Sequence, residues 1–490
     1  MPKYDWVPFY QELAKALYFN NTFDSNTWWQ KVLITDPLLS KIKYCNEFVV
    51  FELLDRRSDK RDRLLNTLKE RFELKADVPT STLGLPMISI SSRFLEHQTY
   101  LSDIYKAAML YVYADQKKSV LHNAAEDALS YSYKKQKPNE VDLLQTLSIG
   151  LYWIAPQRFL CLTPPVISYL KQYLSKSKVL RVYYPPTNFE QYDALMEDLL
   201  ASFKEESSEV KSFVELCDKA YEPYRYDKNR FLSEVHMSES MYDQLVSLIQ
   251  SRKNIILQGV IGTGKTFIAE RLAPSIVGQT NSDRVCMIQM HSNYSYNAFM
   301  GKDGIFRTFC EQAAETPILD YYFIIDDMEC IDPEKVFGEA LSLLACSRRN
   351  QQNAITLIDN QKFYIPANVH VIATMNLTDN RGSINYALRR TFAVFPLAPS
   401  FETDSFIAYQ KSLKNEAFDL LVDRLKAFNE FSAIRYELQN CIGPGYLYGL
   451  NDQADLPAKL YEIVEYDIIP HLRVCGYGES WIENIRNAIL

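Results

Sequence analysis

Lys265 and Thr266 follow a glycine-rich turn, Gly259-Val260-Ile261-Gly262-Thr263-Gly264, and together these residues could hold a chain of phosphates. The spacing Gly259-x-x-x-x-Gly264-Lys265-Thr266 fits a phosphate-binding loop in full. Glycines let backbone N–H groups curl around the α- and β-phosphates with no Cβ in the way. Gly259, Gly262, Thr263 and Gly264 are therefore the expected cradle. Lys265 can reach the β/γ oxygens, and the Thr266 hydroxyl can ligate Mg²⁺. An apolar run, Ile255-Ile256-Leu257, reads as a buried strand before the loop, and Phe267 to Ala273 as a helix after it. That helix points its positive end at the same anion. A plain glycine turn would not need the strand, the helix and Lys-Thr in register.

A second constellation is Tyr321-Tyr322-Phe323-Ile324-Ile325-Asp326-Asp327, an apolar strand ending in acids. Asp326 is expected to hold Mg²⁺ through water, and Asp327 to polarise the attacking water. Most loops of this kind carry a glutamate at the second position, so Asp327 is one methylene short. If turnover survives without Asp327, Glu329 is the alternative carrier. A third is Val371-Ile372-Ala373-Thr374-Met375-Asn376, where an amide at a strand tip suits a sensor of the γ-phosphate. A fourth is Arg389-Arg390, just before a strand at 392–397. Adjacent arginines there could reach a neighbouring subunit's nucleotide and stabilise transition-state charge. Arginines at a helix C-terminus also complement its dipole.

These groups need a scaffold. At 490 residues and 47% apolar, the chain is long enough for two or three domains with sizeable cores. A net charge of −8 leaves no global basic field, so nucleic acid would have to meet local patches or a channel made on assembly. The nine cysteines form no C-x-x-C pair, which fits free thiols in a reducing cytosol. The N-terminus does not read as a signal peptide, and no apolar run has membrane-spanning length. Residues 1–228 read as mainly helical. The charged run Asp55 to Arg63 reads as a solvated helix face or loop, and 203–230 as a linker. Tyr131 to Lys137 and Trp28-Trp29 could contact bases, but packed or solvated helix faces are the better reading. From about 230, strands at 255–258, 285–290, 321–326, 369–375 and 392–397 alternate with helices, which is the pattern of a parallel sheet covered on both faces. Residues 354–365 read as an inserted hairpin, and the chain becomes helical again after about 400. The expected division is a helical target- or partner-binding module at 1–228, an α/β P-loop NTPase core at 229–400 and a helical lid at 401–490.

The region from about 230 to 485 resembles the McrB subunits of McrBC-type restriction systems, a branch of the AAA+ superfamily. The segments that carry the resemblance are His291-Ser292-Asn293-Tyr294-Ser295-Tyr296 with Phe299 and Gly301, Lys335 to Glu339, Met375-Asn376-Leu377-Thr378-Asp379-Asn380-Arg381, Ala387-Leu388-Arg389-Arg390-Thr391-Phe392, Ile442 to Leu447 and Asp467 to Leu472. More weakly, Asp36-Pro37, Arg61-Asp62-Arg63, Gly84-Leu85-Pro86 and Tyr152 to Pro156 are similar to the region preceding the NTPase in some bacterial McrB-like proteins. The resemblance implies a Mg²⁺-dependent NTPase favouring GTP over ATP, a hexameric ring, and roles for Asp379 and Arg381 beside the nucleotide. It also implies a McrC-like nuclease partner, DNA as target, a phage-defence role and a cytoplasmic setting with no membrane. No nuclease centre of the Pro-Asp…Glu-x-Lys kind is visible in this chain. Three departures stand out: Val260-Ile261 where prolines are common, the inserted Asn380, and Asp327 for glutamate. The alternatives are an ATP-driven protein-remodelling factor of MoxR type, or a nucleotide switch with little turnover.

Overall fold

The computed structural model describes residues 3–19, 47–54, 59–80, 98–114, 117–135, 140–176, 185–206, 208–280, 282–315, 319–377, 390–435, 440–450 and 456–489. The chain divides into two compact units, Met1–Arg225 and Tyr226–Leu490. No described helix is long and apolar enough to cross a membrane.

The first unit is mainly helical among its described residues. It contains α1 (Trp6–Phe19), α2 (Glu47–Leu54), α3 (Asp59–Phe72), α4 (Gln98–Tyr113), α5 (Lys118–Lys135), α6 (Glu140–Ile154), α7 (Pro164–Lys176), α8 (Phe189–Ser202) and α9 (Phe213–Tyr221). In α1, Trp6, Phe9, Tyr10, Leu13, Ala14 and Leu17 recur at helical spacing, and all are buried. One expectation fails here and another holds only in part. The stretch expected to be a linker contains α9, which packs against α7. The Ser212 side chain caps α9, and Phe213, Leu216, Cys217 and Ala220 bury its apolar stripe. Lys204, Glu205, Glu206, Glu209 and Lys211 are the exposed charges ahead of it that suggested a linker. The charged run Asp55 to Arg63 runs into α3, where Asp62 and Arg63 are exposed as expected but Arg61 is not. Arg61 is buried and donates to the carbonyls of Leu54 (2.7 Å) and Pro79 (3.3 Å), satisfying backbone acceptors at the end of α2 and beyond α3. Trp28 and Trp29 lie outside the described residues, as do Gln136, Lys137 and the side chains of Tyr131 to Lys135.

The second unit is built on a five-stranded parallel sheet. Its strands are β1 (Asn254–Gly259), β2 (Val285–Gln289), β3 (Tyr321–Asp326), β4 (Val369–Asn376) and β5 (Ala393–Leu397), in spatial order β2-β3-β4-β1-β5. The expected strands match these to within one or two residues. Alternate residues serve opposite faces, because side chains on a strand point to opposite sides. Ile256, Phe323, Ile325, Val371 and Ala373 join one core with Phe299, Phe306, Phe309 and Phe337. Ile255, Leu257, Tyr322, Ile324 and Ile372 join the other with Leu245, Ile249, Ile268 and Leu272. Both faces are thus covered, which explains strands that are apolar without alternation. The hairpin before β4 is present, pairing Ile355–Thr356 with Lys362–Phe363. Helices of the last part, including Asp404–Leu413 and Glu416–Arg435, form a third core around Phe418, Leu425, Phe428, Ile442 and Leu472. The helix there widens to π geometry over Ile463–Ile468, just before Pro470, whose ring cannot fit against an ordinary i−4 carbonyl.

At the starting edge of the sheet a polar staple joins three segments. Asn254 Nδ2 donates to the carbonyls of Leu344 (2.8 Å) and Thr391 (2.9 Å). The buried Arg349 donates to the carbonyls of Leu344 (3.1 Å) and Val369 and to Asn254 Oδ1. Because every strand is parallel, the opposite edge collects all the C-terminal strand ends, where ligands bind in open α/β sheets.

Candidate nucleotide-binding site

β1 delivers Gly259 to that carboxyl edge, and the loop then turns through Gly262 (φ +78°) and Gly264 (φ +77°). Both sit in the left-handed region that a Cβ disfavours, which places successive N–H groups on one side of the loop. Gly259 is needed for closeness instead: a Cβ there would lie 2.6 Å from the Leu397 carbonyl oxygen and 2.7 Å from Thr263 Oγ1. Helix α12 starts at Lys265, so its free N–H groups and positive end face the same space (α10 and α11 being Lys228–Glu234 and Glu239–Arg252, and α12 running Lys265–Val277). Lys265 is buried, and its Nζ donates to the Val260 carbonyl at 2.9 Å. Burial pulls the Lys265 pKa down, and the nearby carboxylates of Glu329, Asp327 and Asp326 oppose that pull.

The register of the sheet brings the other groups to the loop. β1 and β4 pair Gly259 with Asn376, and β2 and β3 pair Gln289 with Asp326. Asp326 is 5% exposed, and its Oδ1 accepts from two hydroxyls, Thr266 Oγ1 at 2.8 Å and Thr374 Oγ1 at 2.6 Å. Thr266 and Asp326 are the two residues expected to hold a metal, and they are in direct contact. Hard oxygen donors of this kind suit Mg²⁺ completed by phosphate oxygens and water. Among the described residues there is no group of three His, Cys, Asp or Glu side chains that would make a metal site without the nucleotide. One ammonium among three carboxylates also leaves negative charge for a cation to balance.

Asp327 occupies the left-handed region at φ +54°, unusual for a residue with a Cβ. Its N–H donates to Thr374 Oγ1 (3.0 Å), and its Oδ2 accepts from Gln289 Nε2 (3.1 Å). Asn376 turns towards Glu329, its backbone N–H and Nδ2 both donating to Glu329 Oε1 at 3.0 and 2.6 Å. The structure therefore gathers Gly259, Gly262, Thr263, Gly264, Lys265, Thr266, Asp326, Asp327 and Asn376 at one edge. Arg390 is described and exposed, whereas Asp379, Arg381 and Arg389 lie outside the described residues. Thr374 and Gln289 were not expected. Their only sequence signal is a polar residue in or at the end of an otherwise apolar strand.

The lid grips the other side of the loop. Gly443 N–H donates to the Ile261 carbonyl (2.9 Å), and Gly445 N–H to the Gly262 carbonyl (2.7 Å). The loop thus offers carbonyls to the lid and amides to an anion.

Comparison with known proteins agrees with this geometry. A family model described as an AAA domain of the dynein-related subfamily matches residues 254–392, and one described as a domain of unknown function matches residues 6–223. The chain is 30% identical over 318 residues to the type IV methyl-directed restriction enzyme EcoKMcrB subunit of Escherichia coli (strain K12), covering 60% of this chain and 68% of that one. Among solved structures it aligns with the S. cerevisiae Hsp104-ADP complex at 13% identity and a TM-score of 0.31, covering 88% of this chain and 92% of that one, a likeness too low to carry an argument. With a P-loop and a strand-end acid meeting on a parallel sheet, and with identity at that level across more than two-thirds of the Escherichia coli subunit, this chain belongs to the McrB family of AAA+ P-loop NTPases.

Proposed function

We propose that this chain is the Mg²⁺-dependent motor subunit of a McrBC-like DNA restriction complex that defends against phage, with GTP favoured over ATP. The contact between Thr266 Oγ1 and Asp326 Oδ1, 2.8 Å apart beside the loop, carries the reading of Mg²⁺-dependent hydrolysis. The Escherichia coli relative supports the restriction setting. In this reading the amides of Gly262 to Lys265 hold the phosphates, and Lys265 leaves Val260 for the β/γ oxygens. Thr266 and Asp326 would hold the ion, which would supply charge neutralisation on the phosphate oxygens. Asn376 senses the γ-phosphate, and Asp327 or a neighbouring acid polarises water. Arg389 and Arg390 serve a neighbouring copy's nucleotide in a hexameric ring, with Asp379 and Arg381 alongside. The partner is a McrC-like nuclease subunit in the cytoplasm, and residues 1–228 recognise the DNA target or that partner. A nucleotide switch with little turnover is the second reading, favoured by the hydrogen bond that ties Asp327 to Gln289.

The test is phosphate release from GTP and from ATP with Mg²⁺, comparing native protein with Lys265→Ala. Each is run with and without DNA and the product of a neighbouring nuclease-like gene. GTP turnover that Lys265→Ala abolishes and the partner raises is the expected result. ATP turnover stimulated by a folded protein client, and not by DNA, would replace the restriction reading with protein remodelling.

A further inference from the structure

Asp327 and Glu329 lie on the same short stretch after β3 and face opposite ways across the sheet. The strand order is β2-β3-β4-β1-β5, so β4 and the loop-bearing β1 lie on one side of β3 and β2 on the other. The Asp327 carboxylate accepts from Gln289 at the end of β2, on the side away from the loop. The Glu329 carboxylate accepts from Asn376 at the end of β4, and Asn376 is in register with Gly259, the first residue of the loop. We propose that Glu329, not Asp327, is the carboxylate that takes the proton from the attacking water when this chain hydrolyses a nucleoside triphosphate.

Three further observations bear on this assignment. Glu329 Oε1 takes both Asn376 donors, whereas Glu329 Oε2 is enclosed and has no hydrogen-bond partner among the described residues. An enclosed carboxylate oxygen without a donor is costly, and such groups in native sites need an explanation. Oε2 is closed to solvent here, so a turn of the carboxylate on nucleotide binding would let a water held against the γ-phosphate supply the missing donor. Met328, next to Glu329, is 1% exposed and packed in the core with Phe299 and Phe337, so the turn that carries Glu329 is firmly seated. Of the three carboxylates that oppose the effect of burial on Lys265, Glu329 acts most strongly, which places its charge near the ammonium meant for the γ-phosphate.

The step balances without a further reactant. Water donates one proton to Glu329 Oε2 while its oxygen bonds to the γ-phosphorus. The bond from that phosphorus to the β–γ bridging oxygen breaks, and its electron pair leaves with the nucleoside diphosphate. The proton then passes from Glu329 to inorganic phosphate or solvent, restoring the carboxylate. Asn376 is a positioning residue in this scheme, anchoring Oε1 and so setting the direction in which Oε2 turns to the water. The assignment rests on the hydrolysis reading above.

The test compares native full-length chain with Glu329→Gln and Asp327→Asn. It measures phosphate release at saturating Mg²⁺-nucleotide, nucleotide Kd and thermal unfolding. Glutamine keeps the size of Glu329 and an oxygen for the Asn376 donors, so the fold is expected to hold. A positioned proton acceptor is worth about 10² to 10⁴ in rate. Glu329→Gln should lower kcat by about that factor, with Kd within about threefold. The loss in Asp327→Asn should be at least about tenfold smaller. Equal losses, or a greater loss in Asp327→Asn, overturn the assignment. So does weakened binding in Glu329→Gln with kcat intact, which would leave Glu329 only as an electrostatic partner of Lys265. A native chain that turns over neither nucleotide, with DNA and partner present, fails differently: it removes the hydrolysis reading itself.

Discussion

The lid contact on the phosphate loop leads to a quantitative test. In Gly443→Ala the new Cβ would lie 2.3 Å from both the carbonyl carbon and oxygen of Gly262, and 2.5 Å from the Thr263 nitrogen. These are backbone atoms, so no flexible side chain can yield. Ordinary contact at about 3.4 Å requires the lid segment to lift by about 1 Å. That movement stretches both hydrogen bonds, Gly443 N–H to Ile261 O at 2.9 Å and Gly445 N–H to Gly262 O at 2.7 Å. At a net value of about 1 kcal/mol each, the docked lid loses about 2 kcal/mol. If nucleotide binds the docked arrangement, its Kd rises by about 30-fold. The lid has its own core around Phe418, Leu425 and Leu472, so the variant should fold with Tm lower by only a few degrees. The assay is equilibrium titration of a fluorescent nucleotide, paired with thermal unfolding. Gly478→Ser is the control: its φ is −71° and nothing lies within 4 Å of a Cβ there, so Kd should stay native. Native affinity in Gly443→Ala would refute the reasoning, because the docked lid would then be irrelevant to the bound state.

Two other perturbations separate the site from the scaffold. Thr374→Val keeps the shape of β4 but removes the 2.6 Å hydrogen bond to Asp326 and the acceptor for Asp327 N–H. A hydrogen bond to a charged group is worth about 1.5–3 kcal/mol, so Mg²⁺-dependent turnover should fall by about 10- to 100-fold. The Mg²⁺ concentration for half-maximal rate should rise, and an unchanged Mg²⁺ dependence would count against Thr374 as the support of Asp326. His370 concerns stability and pH. Its ring is fully buried, stacked on Tyr322, with Nδ1 3.1 Å from the Ile249 carbonyl. Asp320 and Lys253 face Nε2 at 3.2 and 3.4 Å. Burial holds the His370 pKa below the ordinary 6.5 despite Asp320. As pH falls, the unfolded chain therefore takes up this proton first, so the stability contribution is present above about pH 6.5 and is lost as pH drops below it. Thermal unfolding should show Tm falling from about pH 7 to about pH 5, with a shallower fall in His370→Gln. Parallel slopes would assign the effect to other groups.

The parts of the site that could be read in the sequence were local. Glycine spacing, a lysine and a threonine after it, and an apolar run before it all lie within one short segment, so Gly259 to Thr266 needed no tertiary knowledge. The three central strands, β3, β4 and β1, were legible because each is buried on both faces, whereas the edge strands β2 and β5 are only partly buried and showed as short apolar runs. Thr374 and Gln289 were not legible, because their roles depend on the register between parallel strands, which long connections set and no local pattern announces. The contact between Gly443 and Ile261 was hidden for the same reason. Two misreadings came from composition. Arg61 sat in a run of charges but reaches buried carbonyls, and the polar stretch before Phe213 concealed a capped amphipathic helix. Charge density reports the average surroundings of a segment, whereas one side chain can still turn inward.

The staple formed by Asn254 and Arg349 gives the sheet a fixed end and a working end. The phosphate loop, Asp326 and Asn376 all lie at the opposite edge, where strands pass directly into turns. Mechanically this is a cantilever. A pull on the loop from a phosphate, or through the lid, runs down β1 along the hydrogen-bond ladders it shares with β4 and β5, and meets its reaction force at Asn254. The carboxyl edge can then yield while the strands keep their register, so displacement is confined to the place where chemistry and motion have to meet.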